Sequence, residues 1–357
     1  MLFKLKSLPE IKFGVQLTCR WLYPLKDALE TFILADKLGF DSIWIGDHLA
    51  FGPDEKILDT WMTLALIARK TNRVTIGTAV TDPHRRHPAI LAQMGTTLDI
   101  FSRGRFILGI GAGEAMNLDP YGIAWDHPLS RMAESIAIIK KLWTMKEINY
   151  NGKFYKINKA YLEPKPIQKP HPPIWVGGVH YKTLKLIAET ANGWIPGGSS
   201  PKIYKGLFSD INKWAKKAGR NINEIEPAII LPTAVAADYN EAKKFIELTT
   251  KAALLSNPKI LEKMGIKPPS YKFSYSHFTY SHKGTKQFLN KIKDIPFKAV
   301  KTRSIFGTTE DCIDQLEKYI TAGARHIIIR PQSRQPKIRE KFLRSYAEKI
   351  LPYFRRK

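Results

Sequence analysis

The sequence predicts an α/β fold, a (β/α)8 TIM barrel with insertions after strands 4 and 7. Strand-like apolar runs alternate with amphipathic helical segments from end to end, which indicates parallel strands. Eight such units favour a closed barrel over an open sheet, and several strands end in glycine and polar residues, as parallel α/β proteins do at their functional end. The 357 residues, 44% of them hydrophobic, suit one barrel domain over residues 1–357.

The first four units follow from apolar spacing and from helix start and stop signals. Gly39 ends the first helix, and Pro88 is a favourable first residue of the third. The fourth strand begins the stretch RFILGIGAGEAMN at Arg105, and its short apolar run is typical of a strand buried on both faces. The predicted strands are Ile11–Gln16, Ser42–Ile45, Val74–Val80 and Phe106–Ile110, and the predicted helices are Pro24–Leu38, Leu58–Lys70 and Pro88–Phe101.

The second half repeats the pattern with two irregular regions. A polar, proline-bearing segment of about residues 148–172 contains a small predicted hairpin, and a second irregular region covers about residues 256–300. Both are predicted insertions in a single domain. The predicted strands are Ile174–Gly178, Gly193–Ile195, Glu226–Val235 and Arg325–Arg330. The predicted helices are Leu129–Trp143, Tyr181–Ala191, Pro201–Ala218, Asn240–Leu255 and Lys337–Phe354. A further predicted helix ends at Thr321.

The composition excludes several classes of protein. No apolar run approaches the ~20 residues of a membrane span, and the N-terminus MLFKLKSLPEIKFG lacks the apolar core and cleavage site of a signal peptide. Cys19 and Cys312 have no metal-type spacing, and no other His, Cys, Asp or Glu pattern resembles a metal site. We therefore expect a cytoplasmic, reduced protein without a metal ion.

The formal net charge of +25 has more than one interpretation. Lysines are scattered along nearly the whole chain, and no nucleic-acid-binding motif accompanies them, which favours diffuse surface charge. A positive field would also attract an acidic cofactor or substrate. A non-catalytic basic barrel that binds nucleic acid or an anionic partner stays as an alternative of another class.

Polar residues at the strand exits predict the functional site, because these loops converge on one mouth of a barrel. The mouth would hold His48 after strand two and Glu114 after strand four, a natural acid–base pair. Bare glycine backbone nearby suits a planar ring with a phosphate-bearing tail. Taken singly, His48 could be a structural histidine and Asp47 a turn cap, but their coincidence at strand ends favours function. Glu114 stands where a G-x-G-x-x-G dinucleotide fingerprint requires glycine, which excludes that site.

Five stretches carry a resemblance to a known family. They are GFDSIWIGDH (39–48), TAVTDPHRRHPAILAQ (78–93), RGRFILGIGAGEAMN (103–117), KPHPPIWVGG (169–178) and AGARHIIIR (322–330). Together they resemble the bacterial luciferase-like superfamily, specifically the branch that uses the deazaflavin coenzyme F420. GAGEAMN is similar to the loop of deazaflavin-dependent alcohol and sugar-phosphate dehydrogenases, and TDPHRRHP is more similar to methylenetetrahydromethanopterin reductase.

The resemblance implies a barrel with the deazaflavin ring at its C-terminal mouth, in a homodimer or larger homo-oligomer. It implies that His48 gives or takes a proton at the substrate oxygen, that Glu114 is its partner acid, and that Arg303 contacts the substrate. The Ala79–Val80 bond matches the position of a non-prolyl cis peptide behind the ring. The coenzyme-binding residues implied are Asp47, Ala79, Val80, Asp82, Ala112, Gly113, Asn117, Gly177, Gly178, Val179 and His180.

The main hypothesis is a coenzyme F420-dependent oxidoreductase that transfers a hydride between C5 of the deazaflavin and a small-molecule substrate of the alcohol, carbonyl or pterin type. An FMN-dependent monooxygenase of the same superfamily is the alternative. The chain departs from the resembling enzymes at Gly197-Gly198-Ser199, where the sugar-phosphate enzymes carry a lysine, and at Phe51-Gly52-Pro53, where the alcohol enzymes carry a tryptophan. These departures argue against glucose 6-phosphate and leave the substrate open.

Overall fold

The structure, a computed structural model, describes residues 10–51 and 55–355. The predicted absence of a signal sequence rests partly on residues 1–9, which lie outside the described part of the chain, as do Gly52 and Pro53 of the second departure. Within the described residues, no helix is both long and apolar enough to cross a membrane. The division into a single domain over 1–357 remains a prediction.

The central sheet confirms the predicted (β/α)8 barrel. Eight parallel strands close a ring in the order β1-β2-β3-β4-β7-β8-β9-β11, and β11 pairs back onto β1. A ninth strand, β10, which the sequence pattern did not single out, pairs with the C-terminal end of β9. The strands are β1 Lys12–Leu17, β2 Ser42–Ile45, β3 Thr75–Thr78, β4 Phe106–Ile110, β5 Ile148–Asn151, β6 Lys156–Ala160, β7 Ile174–Val176, β8 Gly193–Trp194, β9 Glu226–Val235, β10 Ile305–Gly307 and β11 His326–Pro331.

Helices follow the barrel strands and cover the outside of the sheet. Their apolar faces pack on the outward-facing strand residues in one continuous core. The helices are α1 Leu25–Lys37, α2 Thr60–Lys70, α3 Pro88–Ser102, α4 Pro128–Thr144, α5 Tyr181–Thr190, α6 Pro201–Lys217, α7 Tyr239–Leu255, α8 Pro258–Lys263, α9 His282–Lys291, α10 Phe297–Lys301, α11 Thr309–Thr321, α12 Pro336–Ser345 and α13 Leu351–Arg355. The last predicted helix is thus divided, since a π-helical segment at Tyr346–Ile350 joins α12 to α13.

The two irregular regions lie where the sequence places them along the chain. The antiparallel hairpin of β5 and β6 lies between α4 and β7, after the fourth barrel strand. Residues 256–300 lie between β9 and β10 and contain α8, α9 and α10, which the sequence pattern did not predict. The backbone N–H of Met116 donates to the carbonyl of Tyr275 (3.3 Å), so this second region contacts the loop after β4.

The barrel interior is filled at its N-terminal end, which leaves the chemistry to the C-terminal mouth. Trp44 and Trp175 stack at 4.8 Å between ring centroids inside the barrel. Below them, Nε1 of Trp44 donates to Oγ of Ser42 (2.7 Å), and that oxygen lies 2.6 Å from Nε2 of His326. This packing is the layered side-chain filling expected of a TIM barrel.

Candidate active site

Three predicted site residues meet at the mouth in one hydrogen-bonded group. Nδ2 of Asn117 lies 2.9 Å from Nδ1 of His48 and 3.2 Å from Oε2 of Glu114. The same Oε2 lies 3.6 Å from Nδ1 of His48. His48 lies three residues after the end of β2. Glu114 precedes a short 3-10 turn after β4, Ala115–Asn117, and Asn117 is the last residue of that turn. Residues 69 positions apart in the chain are therefore brought together by neighbouring strand ends.

The orientation of the Asn117 amide is fixed by the backbone. Its Oδ1 accepts from the N–H groups of Leu49 (3.1 Å) and Ala50 (3.2 Å). A flipped amide would direct its own N–H₂ group at two donors, so Nδ2 must face His48 and Glu114. Since Nδ2 is a donor only, Nδ1 of His48 is the acceptor, and neutral His48 carries its proton on Nε2.

The surroundings of His48 favour this neutral form. Burial lowers the pKa of His48, while the Glu114 carboxylate opposes that shift and Arg85 adds to it. Nε2 of His48 makes no hydrogen bond with the described residues and is left for an external oxygen. The ring of Phe51 packs edge-on against the imidazole, with 5.1 Å between ring centroids. The ring of Tyr280, from the second irregular region, lies 5.8 Å from that of Phe51, again between centroids. These rings form an aromatic wall beside the imidazole.

Four residues at the exits of β3, β4 and β7 lie together at the mouth, and we call them the glycine platform: Ala79, Val80, Gly111 and Gly177. The Ala79–Val80 peptide bond is cis, as the resemblance implies. A Cβ added at Gly111 would lie 2.5 Å from Cγ2 of Val80, and one at Gly177 would lie 3.1 Å from Cγ1. Any larger residue would therefore clash with Val80 at Gly111 and would press closely against it at Gly177.

The side chain of Asp47, predicted to bind the coenzyme, is enclosed by partners from its own chain. Its Oδ2 accepts from Thr81 (2.7 Å) and from Trp61 (3.2 Å), and it forms ion pairs with Arg85 (3.1 Å) and Arg86 (2.8 Å). These contacts pin the loop after β3 to the exit of β2. A direct contact of this carboxylate with a coenzyme stays a prediction.

Asp82 has a similar local function in the loop after β3. Its carboxylate accepts from the backbone N–H groups of His84 (2.9 Å) and Arg85 (3.0 Å), and from Nε of Arg85 (2.6 Å). Burial opposes ionisation of Asp82, but Arg85 and these hydrogen bonds outweigh it and lower the pKa of the carboxyl group. The pair Asp47 and Asp82 thus holds Arg85, whose ionic contacts the sequence did not reveal.

The remaining residues predicted to bind the coenzyme lie on the loops around the platform. The carbonyl of Ala112 accepts from the indole of Trp125 (2.9 Å), and Gly113 takes a φ of +75° that suits glycine. Gly178, with a φ of +136°, accepts from Trp194 (2.9 Å). Val179 packs against the outer core, and His180 is exposed at the start of α5.

The structure also reveals a polar relay that the sequence analysis missed. Nε of Arg330, on β11, donates to Oε1 of Gln16 (2.7 Å) on β1, and Nε2 of Gln16 donates to the carbonyl of Ala79 (3.1 Å). A signal was present in the sequence, because strand alternation places Gln16 and Arg330 inward among apolar neighbours at two strand ends.

Arg303, predicted to contact substrate, lies just before β10 on the opposite side of β9 from Arg330. Its Nε would be 3.5 Å from a Cβ at Gly198, so it lies against the exit of β8. Within the residues that the structure covers, no group of three or more His, Cys, Asp or Glu side chains could hold a metal ion.

Comparison with known proteins gives the same fold and one family. The model of the family described as luciferase-like monooxygenase matches residues 12–326. The chain is 27% identical to a F420-dependent glucose-6-phosphate dehydrogenase of Microbacterium testaceum, over 97% of this chain and 98% of the relative. It is 30% identical to a 5,10-methylenetetrahydromethanopterin reductase of Methanolobus tindarius, over 83% of this chain and 87% of the relative. A solved F420-dependent secondary alcohol dehydrogenase, in complex with an F420–acetone adduct, superposes with a TM-score of 0.82 at 23% identity, covering 96% of this chain and 98% of that one.

Proposed function

The chain belongs to the luciferase-like monooxygenase family, and we propose that it is a coenzyme F420-dependent oxidoreductase. It would transfer a hydride between C5 of the deazaflavin and a small alcohol, carbonyl or pterin-type substrate. The observation that carries the proposal is the group of His48, Asn117 and Glu114 beside the glycine platform. The F420-dependent relatives, which cover nearly the whole chain, support it.

The residues at the mouth fit a flat, anionic coenzyme. The glycine platform presents backbone and the Val80 side chain, with no Cβ at Gly111 or Gly177 to lift a ring off the surface. At Gly197 an added Cβ would meet nothing within 4 Å, so this strand exit borders open space. The platform would hold the ring, and the loops of Ala112-Gly113 and Gly177–His180 would offer backbone N–H groups to the polar tail.

The chain's own chemistry is proton transfer. A deazaflavin held on the platform would be the source or the acceptor of the hydride. His48 presents Nε2–H to the substrate oxygen, where it stabilises the negative charge that develops on that atom when a carbonyl is reduced. When Nε2 gives its proton to the substrate oxygen, Nδ1 must gain one in place of the hydrogen bond from Asn117, and a protonated Glu114, 3.6 Å from Nδ1, would supply it. In the reverse direction the Glu114 carboxylate would take that proton back. Positioned acid–base groups of this kind contribute typically ~10²–10⁴-fold in rate.

The hydrogen bond from Asn117 to His48 favours carbonyl reduction over alcohol oxidation. Alcohol oxidation needs a free lone pair on Nε2 of His48, whereas carbonyl reduction needs a donor there. Because Asn117 donates to Nδ1, the neutral imidazole is already a donor at Nε2. The resting arrangement therefore suits reduction of a carbonyl group. The homo-oligomeric state stays a prediction that light scattering of the purified protein would test.

Titration with oxidised F420 and, separately, with FMN tests the proposal. We expect F420 to bind and its reduced form to be consumed with a carbonyl substrate from a screen. His48→Ala should lose at least ~10²-fold in kcat while its affinity for F420 stays unchanged. His282→Ala, at an exposed position on α9, is the matched control and should behave as wild type. Tight FMN binding with oxygen consumption and no F420 binding would instead favour a monooxygenase.

A further inference from the structure

Gln16 and Arg330 are polar residues that point into the barrel near the mouth ends of two neighbouring strands. Val15 on β1 packs in the outer core, so strand alternation directs Gln16 inward. Ile328 on β11 lies in the apolar cluster inside the barrel, so Arg330, two residues later, points inward as well. Because β1 and β11 pair in parallel, the two polar side chains are neighbours at one edge of the mouth.

Arg330 uses only part of its guanidinium within the protein. Its Nε donates to Oε1 of Gln16 (2.7 Å), whereas Nη1 and Nη2 make no hydrogen bond with the residues that the structure describes. None of the described Asp and Glu side chains forms an ion pair with this half-buried residue; Asp47, at the exit of β2, pairs with Arg85 (3.1 Å) and Arg86 (2.8 Å) instead. Arg330 therefore carries a charge that the described part of the chain does not neutralise.

The charge of Arg330 acts on the other groups at the mouth. Burial, followed by the charge of Arg303, lowers the pKa of Arg330 to about 10, so the guanidinium is still charged at neutral pH. Burial also lowers the pKa of His48, and the charges of Arg85 and Arg330 lower it further. Since a partly desolvated charge is screened less than one in bulk water, Arg330 imposes a positive potential where His48 presents its Nε2.

Gln16 connects this cation to the glycine platform. Nε2 of Gln16 donates to the carbonyl oxygen of Ala79 (3.1 Å), and Oε1 accepts from Arg330. The orientation of the Gln16 amide is fixed, because a guanidinium can only donate and a carbonyl can only accept. Gln16 is 2% exposed, so water does not compete for these bonds. The guanidinium is therefore held in a defined position relative to the platform on which the coenzyme ring is proposed to lie.

We propose that Arg330 acts through its charge on the ring of the coenzyme and stabilises the reduced form relative to the oxidised form. The inference rests on the proposed function and adds the residue that sets the reduction potential of the bound coenzyme. A hydride is one proton with two electrons, so the ring gains one unit of negative charge when it accepts a hydride. That charge leaves the ring when the hydride passes to the carbonyl carbon, while His48 supplies a proton to the oxygen. A fixed cation beside the platform favours the ring state with the added negative charge.

The affinities for oxidised and for reduced F420, each measured by anaerobic calorimetry, test the proposal. In Arg330→Met the ratio of reduced-form to oxidised-form affinity should fall at least tenfold relative to wild type. By the two-electron relation this is a fall of about 30 mV in the midpoint potential of the bound coenzyme. Arg330→Lys, which keeps the charge, should retain most of the wild-type ratio. Arg344→Met is the control and should leave the ratio unchanged, because Arg344 lies on the surface and pairs with Glu340 (2.8 Å).

The two affinities separate an electrostatic role of Arg330 from an ordinary binding or structural one. Equal losses of both affinities in Arg330→Met would leave the ratio unchanged and would overturn the proposal. A ratio in Arg330→Lys as low as that in Arg330→Met would also refute it, because the charge would then not be what matters. If F420 binds in neither form to wild type, the proposed function itself fails. Binding of F420 with an unchanged ratio in Arg330→Met refutes this inference alone.

A measurement without coenzyme shows whether the charge of Arg330 reaches the mouth. The probe is the pKa of His48, followed by NMR of the imidazole; Glu114, Arg85 and Asp47 also act on it and are unaltered in the variants. Arg330→Met should raise the pKa of His48, because it removes one of the cations that lower it, and Arg330→Lys should leave it nearly unchanged. An unchanged pKa of His48 in Arg330→Met would show that the charge does not reach the mouth, against the proposal.

Discussion

Replacing Asn117 by aspartate should reverse the tautomer of His48. Aspartate has nearly the shape of asparagine and can still accept from the N–H groups of Leu49 and Ala50. The group that now donates to Nδ1 of His48, however, becomes a carboxylate oxygen that can only accept. The variant should therefore move the imidazole proton from Nε2 to Nδ1, and the added negative charge should raise the pKa of His48.

The size of the effect follows from the hydrogen bonds exchanged. The present tautomer loses one neutral hydrogen bond, ~1 kcal/mol, and the other tautomer gains a charge-assisted one, ~1.5–3 kcal/mol. Together these shift the tautomer equilibrium by roughly a hundred- to a thousandfold. Above its raised pKa, neutral His48 in the variant would offer a lone pair at Nε2. Carbonyl reduction should then decline as pH rises through that pKa, a decline that wild type lacks.

Nitrogen NMR of the imidazoles measures the tautomer directly. The protein has nine histidines, and His48→Gln identifies the signal of interest. We expect the protonated nitrogen of neutral His48 to be Nε2 in wild type and Nδ1 in Asn117→Asp. Asn192→Asp is the matched control, since Oδ1 of Asn192 also accepts a backbone N–H, that of Ile174 (3.0 Å), away from the mouth. An unchanged tautomer in Asn117→Asp, or an Nδ1 proton already present in wild type, would refute the argument.

Three further predictions concern stability and reactivity. Gly109→Ala should lower the free energy of unfolding in urea by at least ~3 kcal/mol, because the new Cβ would lie 1.8 Å from a backbone carbonyl oxygen of β3. Gly206→Ala in α6, where a Cβ would meet nothing within 4 Å, should instead raise it by ~0.5–1 kcal/mol. Burial lowers the pKa of His326 from 6.5 to about 3. The stability that the neutral imidazole contributes is therefore complete above pH 6.5 and is lost as pH falls towards 3, at up to ~1.4 kcal/mol per pH unit. The unfolding free energy of His326→Asn should depend less steeply on pH, and an identical slope would contradict this assignment. Burial raises the pKa of Cys19 to about 12 and raises that of Cys312 further. Neither thiol should therefore react with a disulfide reagent in the folded protein. Rapid modification without denaturant would contradict their burial.

The barrel was predictable because its signals are local. Apolar spacing and turn residues located the eight barrel strands, and the range of β9, Glu226–Val235, agrees at both ends. The short strand β10 and the helices of residues 256–300 were not predicted. Three residues of strand give too short a pattern to separate from loop, and α8 and α10, six and five residues long, carry barely one helical turn of apolar spacing.

The candidate site was only partly predictable. His48 and Glu114 stand at strand exits, and a parallel barrel brings all such exits to one mouth, so their proximity follows from sequence once eight strands are counted. Asp47 illustrates the limit of this argument. Its position at the same mouth was predictable, but its enclosure by Arg85 and Arg86 depends on the path of the loop after β3.

The sequence by itself determined the barrel, the location of its mouth and the residue types gathered there, because strand and helix periodicity depends on neighbours in the chain. Only the tertiary structure decided the direction of the Asn117 amide, the partners of Asp47, and the burial of Nε and Nη1 of Arg303 without a hydrogen-bond partner among the described residues. Hydrogen-bond direction and charge pairing are set by groups that are distant in sequence and within 4 Å in space. Such contacts leave no periodic pattern in the chain, so they emerge only when the loops of different strands are placed together.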